Sequence, residues 1–171
     1  MKNETPKIFL PRTGQTTSYS AGDDGDVQAG NPRATRFVDN GNGTVTDRAT
    51  GLQWVQDPTD CGEAFHTAGA LVTMNWADAA ANCLALEYAG FADWRLPNPL
   101  EALSLVDWSS AVTRVQLVGT GNLYWSSTSY QPDPTNKAYH YREYTAAYSC
   151  YTEWKTALRY VRPVRGGRIN G

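Results

Sequence analysis

The chain has 171 residues, of which 41% are hydrophobic, and a formal charge of −2 at neutral pH. That length fits one domain, and the balance excludes both a disordered chain and a generic polyanion binder. No apolar run approaches the roughly 20 residues that span a bilayer, so no membrane insertion is expected, and Met1-Lys2-Asn3-Glu4-Thr5-Pro6 lacks the apolar stretch of a secretory signal. In chain order, residues 1–35 are polar and rich in Gly and Asp, and they predict an irregular arm. Arg36-Phe37-Val38 and Thr44-Val45-Thr46 flank Asp39-Asn40-Gly41-Asn42-Gly43, a hairpin signal because Asn and Gly accept positive φ. Leu52-Gln53-Trp54-Val55 predicts a third short strand.

Two helices are predicted next. Asn75 caps the first, Asp78 favours its positive end, and Gly90 lies just beyond it; Trp76, Ala80, Cys83 and Leu84 would share its apolar face. Asn98, Pro99 and Glu101 open the second, with Leu100, Leu103 and Val106 as its stripe. From Leu123 onward the chain reads as strands again, closing at Tyr160 to Val164. Helices gathered between two groups of strands predict an α+β fold of short antiparallel strands and two helices. The whole of 1–171 is expected to form one domain, with a C-terminal sheet over 123–167.

That sheet carries the most informative segment. Tyr139, His140, Tyr141, Arg142, Tyr144, Tyr148, Tyr151 and Trp154 crowd into two strand-like runs, near 138–144 and 148–154, around Thr145-Ala146-Ala147. A core strand would be filled with Val, Ile and Leu. Tyrosine instead offers a rigid contact area with a hydrogen-bonding tip, as paratopes use it. The eight residues are therefore the candidate ligand-binding set. Alternation puts His140, Arg142 and Tyr144 on one side and Tyr139 and Tyr141 on the other.

Rival chemistry is poorly served. Cys61, Cys83 and Cys150 make an odd number without CxxC spacing, so three reduced thiols are expected, although one pair could bridge under oxidising conditions. Cys61 and His66 fall short of a zinc ligand set, and no motif surrounds them as a nucleophilic pair. Asp23, Asp24 and Asp26 are read as solvated turn residues, and Asp39 to Asp47 lacks the oxygen spacing of an EF-type calcium loop. No metal and no cofactor are expected. Arg159, Arg162, Arg165 and Arg168 are read as structural ion-pair formers, with Asp93 among their partners, and nucleic acid is not an expected ligand.

Six phrases recur in order: Leu10-Pro11-Arg12-Thr13-Gly14-Gln15-Thr16, Phe37 to Asp47, Thr50-Gly51-Leu52-Gln53-Trp54, Asp93-Trp94-Arg95-Leu96-Pro97-Asn98, Tyr124-Trp125-Ser126-Ser127-Thr128 and Tyr160 to Gly167. Together they resemble the Lcl C-terminal-like domain family, named after a bacterial collagen-like adhesin. The resemblance implies a C-type-lectin-like fold, related to that of formylglycine-generating enzymes, and a role in adhesion or ligand binding. Members often carry cysteine where this chain has Ser18 and Pro163, and the departure fits a protein without that disulfide. Family members carry apolar residues at the positions of 139 and 141, which favours His140, Arg142 and Tyr144 as the outward set.

The resemblance also implies less welcome chemistry, and the residues weigh against it. Gln131-Pro132-Asp133 matches a tripeptide that lectins of this fold use for calcium and galactose, but Thr152-Glu153-Trp154-Lys155 stands where Trp-Asn-Asp is needed. The enzymes of the fold use a cysteine pair near the C-terminus, and only Cys150 is there. Some lectin-fold proteins are instead diversified by retroelements that randomise adenines in AAC or AAT codons. Such codons never yield Lys, Glu, Gln, Met or Trp, and within Ala138 to Thr152 only Glu143 lies outside the reachable set. The expected function is a non-enzymatic, retroelement-diversified domain that binds a protein or cell-surface ligand. The alternatives are a fixed-specificity glycan-binding adhesin and, third, an enzyme related to formylglycine-generating enzymes.

Overall fold

Gly41 and Gly43 take φ of 70° and 80°, so the chain reverses where a side chain would strain it. A Cβ on Gly43 would also lie 1.9 Å from the Tyr88 hydroxyl. This turn joins β1 (Phe37–Asp39) to β2 (Thr44–Asp47). β2 pairs antiparallel with β3 (Leu52–Val55), and β3 with β9 (Val164–Arg165), giving the order β1-β2-β3-β9. The register sets Val45 opposite Trp54 and Trp54 opposite Val164. All three are fully buried on one face, packed with Leu105 and Leu117. The computed structural model describes residues 10, 12–32, 36–105, 117, 123–142 and 150–167.

The sheet is pinned at its rim by charge. Arg36 and Asp47 meet at 2.6 Å with almost no exposure, and Asp47 also accepts from the Ala49 N–H and the Thr50 hydroxyl. A 3₁₀ turn at Pro58–Cys61 and a small hairpin, β4 (His66–Thr67) and β5 (Ala70–Leu71), carry the chain to the helices.

α2 (Trp76–Ala85) starts as expected, with the Asn75 side chain accepting the Asp78 N–H. It stops at Ala85, short of Gly90, because Leu86 turns to an extended conformation and buries itself in the core. Ala79 and Cys83 form its buried centre, whereas Leu84 is exposed. α3 (Pro99–Ser104) has the complete capping box of Asn98 and Glu101. Its core contact is Ala102, with Leu105 buried just beyond its end, and Leu100 points to solvent. Val106 lies outside the described residues. In α2 the expected residues Trp76, Ala80 and Cys83 do pack on the core and Leu84 alone turns out, whereas in α3 the small Ala102 replaces Leu100 at the contact. The arm is not wholly irregular either. Asp23 caps a short helix, α1 (Asp24–Val27), by accepting the Asp26 N–H, and its carboxyl is held below the usual range chiefly by the Tyr19 N–H.

The second sheet has the order β6-β7-β8: β6 (Leu123–Ser129), β7 (Lys137–Arg142) and β8 (Cys150–Trp154), all antiparallel. One face joins the main core through Trp125 and Ala138, packed with Val55, Phe65, Trp94, Ala79 and Cys83. The other face sets Tyr124 and Tyr141 against Ala102 of α3. The fold is therefore α+β, with three α-helices among the described residues where two were expected.

Candidate ligand-binding surface

The residue pairs across β7 and β8 are Lys137–Trp154, Ala138–Glu153, Tyr139–Thr152, His140–Tyr151 and Tyr141–Cys150. Alternation and register together sort the candidate residues. Tyr139 and Tyr141 lie on the α3 face with Tyr124, and His140 and Arg142 lie on the face of Trp125.

This sorting corrects part of the expected binding set. Tyr141 is 0% exposed and stacks on Tyr124 with ring centroids 5.7 Å apart. His140 is only 5% exposed, its ring edge-on to Trp125 at 6.3 Å. Both are packing residues, because β7 is the central strand and is covered on both faces near β6. Tyr139 is half-buried and meets Tyr130 edge-on at 5.8 Å. Arg142 is exposed, but the side expected to face outward is the one that carries the buried His140. Tyr144 and Tyr148, with the turn Thr145-Ala146-Ala147, lie outside the described residues, as does Arg168.

On the edge strand the two aromatic candidates do reach solvent. Tyr151 is 57% exposed and Trp154 51%. Tyr151 lies over His140, centroids 5.9 Å apart. The Lys137 ammonium sits 4.8 Å from the Trp154 ring centroid, a cation–π contact that fixes the indole. Lys137 was missed because its spacing gives no cue. Only the hairpin register, which pairs it with Trp154, brings it to the surface. Thr152 is exposed between the aromatics, and Cys150 is exposed just before Tyr151.

Electrostatics below this surface are set by His140. Burial lowers its pKa first, the Arg159 guanidinium lowers it further, Glu153 opposes, and Arg142 adds a smaller lowering. Its Nδ1 is buried without a hydrogen-bond partner among the described residues. The folded state thus holds His140 neutral, while in the unfolded chain it takes a proton near its ordinary value of about 6.5. Between those two values the unfolded chain binds more protons, so stability falls as pH drops from about 6.5 towards the lowered folded value. Thermal melts between about pH 7.5 and about pH 5.5 should show a larger loss of Tm for the parent than for His140→Phe, which fills the site without titrating. Equal slopes would mean that His140 is not the group responsible.

Elsewhere the reactive groups are quenched or engaged. Burial, with Asp60 and Asp57 adding to it, pushes the Cys61 thiol up to about 12, and burial raises Cys83 too, so both keep their protons at neutral pH. The Asp133 carboxylate of the Gln131-Pro132-Asp133 turn accepts from the Asn136 amide. Arg165 pairs with Asp93 at 2.6 Å, but Asp93 is half-exposed rather than buried. Arg159 pairs with Glu153 at 2.8 Å, and the buried Arg162 donates to the Val55 and Gln56 carbonyls and to the Tyr124 hydroxyl. Among the described residues, no three His, Cys, Asp or Glu side chains converge on a metal position.

The family model of the Lcl C-terminal domain matches residues 43–165. The chain belongs to the Lcl C-terminal domain family. No curated protein matches it. In this Lcl C-terminal domain the matched span contains α2, α3 and the whole β6-β7-β8 sheet. The exposed aromatics therefore stand on the family scaffold itself, whereas the N-terminal arm with α1 lies before it.

Proposed function

We propose that this Lcl C-terminal domain is a non-enzymatic binding domain with a C-type-lectin-like fold, and that it recognises a protein or cell-surface ligand through the β7–β8 hairpin. One contrast carries the reading. Trp54, Trp94, Trp125, Tyr124 and Tyr141 are all fully buried, yet Tyr151 and Trp154 stand more than half exposed on opposite faces of the edge strand. Within the two sheets burial is the rule, so leaving Tyr151 and Trp154 outside, as Tyr19 of the arm also is, gains nothing in stability, and exposed, well-positioned Tyr and Trp are the residues that anchor interfaces. Lys137, Tyr139 and Thr152 share the face of Trp154, Arg142 that of Tyr151, and the sequence adds Tyr144 and Tyr148 to the candidate set.

The composition of 138–152 supports retroelement diversification of that hairpin. The expected genomic finding is a reverse transcriptase gene beside a template repeat that differs from the coding sequence of this segment only at adenines. A neighbourhood without one would favour the fixed-specificity glycan adhesin.

The binding role is tested directly with Tyr151→Ala/Trp154→Ala. Each central aromatic anchor contributes on the order of 2 kcal/mol, so the double variant should lose its cell-surface partner in a cell-binding assay. Asp133→Ala and Arg165→Ala should bind as the parent does. A glycan array that shows calcium-dependent binding surviving the double substitution would sink the protein-ligand reading.

A further inference from the structure

Among the described residues no strand pairs with the outer edge of β8, and the ladder shows which backbone groups face outward. The Lys155 N–H donates to the Asn136 carbonyl, so the pair 136–155 is a hydrogen-bonded one. By the two-residue alternation of antiparallel pairing, 138–153 and 140–151 are hydrogen-bonded pairs as well. The N–H and C=O groups of Cys150, Thr152 and Trp154 therefore point away from β7. Those of Trp154 are taken locally: its N–H by the Glu153 carboxylate and its carbonyl by the Ala157 N–H. Thr152, exposed, keeps both groups for an outside partner.

Open edges are normally blunted by Lys, Pro or inward-pointing charge. β8 itself has neither Lys nor Pro, and its inward-side charge is Glu153. That charge is held by Arg159, and the strand's large side chains, Tyr151 and Trp154, project to opposite faces where they would flank an added strand. The charges around the edge are cationic although the chain as a whole carries −2. The Lys137 ammonium lies over Trp154 on one face. Arg142 is exposed at the other end on the opposite face. Neither makes an ion pair among the described residues.

We propose that β8 accepts an extended, acidic polypeptide segment as an added strand, hydrogen-bonded through Thr152, with its carboxylates directed to Lys137 and Arg142. This deepens the binding reading given above and rests on it. The charge argues against a second copy, which would bring the same cations against themselves, and a glycan has no alternating N–H and C=O groups to pair with the edge.

The probe is a fluorescein-labelled peptide of about eight residues, rich in Thr and Val, with one Asp near each end. Its binding is followed by fluorescence anisotropy. The same peptide with alternate backbone nitrogens methylated, and the same with Lys for Asp, should each bind at least about tenfold more weakly, a difference of about 1.4 kcal/mol. Thr152→Pro removes the outward N–H at an edge position where proline is tolerated, and should show a comparable loss with its melting transition retained. Strand addition is overturned if neither methylation nor lysine weakens binding, if the acidic peptide does not bind, or if heparin displaces it and binds Thr152→Pro equally well. The methylated peptide decides the matter even where Thr152→Pro fails to fold. Loss on Tyr151→Ala/Trp154→Ala without sensitivity to methylation would overturn strand addition and leave the aromatic surface standing. Indifference to both would overturn the two together.

Discussion

Trp125→Ala should destabilise the protein by about 3–5 kcal/mol, the cost of removing a large aromatic from a closed core. Trp125 has no solvent exposure, and its indole N–H donates to the Met74 carbonyl at 2.9 Å. Its loss therefore leaves a cavity and orphans an acceptor, each of which adds to the cost. The same ring supports His140, which in turn lies under Tyr151. A substitution two contacts below the exposed Tyr151 should thus loosen the display strand as well. Trp154→Ser, by contrast, breaks only an exposed cation–π contact and should cost about 0.5–1 kcal/mol. Urea titrations of the two variants check the comparison. Equal losses would mean that the edge aromatics are structural, and the binding reading would fall.

That contrast also shows why the fold was easier to read from sequence than the surface. Turns and caps are local chemistry: Gly41 and Gly43 specify the hairpin, and Asn98 with Glu101 specifies the start of α3. Helix faces were less legible. Leu84 and Leu100 have the right spacing for a core stripe but are exposed, because Ala79, Cys83 and Ala102 make the close contacts. Nothing local tells a helix that its neighbour approaches on the alanine side.

The aromatic hairpin illustrates the harder limit. Tyr139, His140, Tyr141, Tyr151 and Trp154 look alike in a string, and tyrosine suits both a packed sheet and a wet interface. What separates them is strand position. β7 is central, so His140 and Tyr141 are covered, while β8 is the edge, so Tyr151 and Trp154 are not. Strand order depends on contacts distant in sequence, such as the bridge between Met74 and Arg159 and the pairing of Tyr124 with Tyr160. The contribution of Lys137 was invisible for the same reason.

Asp47→Ala should cost about 3–5 kcal/mol, because it leaves Arg36 buried and unpaired. Arg36 holds the carboxylate through two contacts, from Nε at 2.7 Å and a terminal nitrogen at 2.6 Å, and the guanidinium also lies 4.4 Å from the Phe37 ring centroid. Deleting the acid strands that charge and releases the Ala49 N–H and the Thr50 hydroxyl, so the turn from β2 to β3 loses its anchor. Replacing Arg36 and Asp47 together by Met and Leu should recover most of the loss, since a buried pair exchanged for apolar side chains of similar volume is often neutral. Denaturant melts of the single and double variants measure this coupling. The pair lies in the β1-β2-β3-β9 sheet, away from the β7–β8 edge, so Asp47→Ala should reduce the folded fraction without changing the affinity of the molecules that remain folded. A fall in affinity at full occupancy of the folded state would show that the two sheets are coupled in ligand binding, and that the display hairpin is not an independent surface.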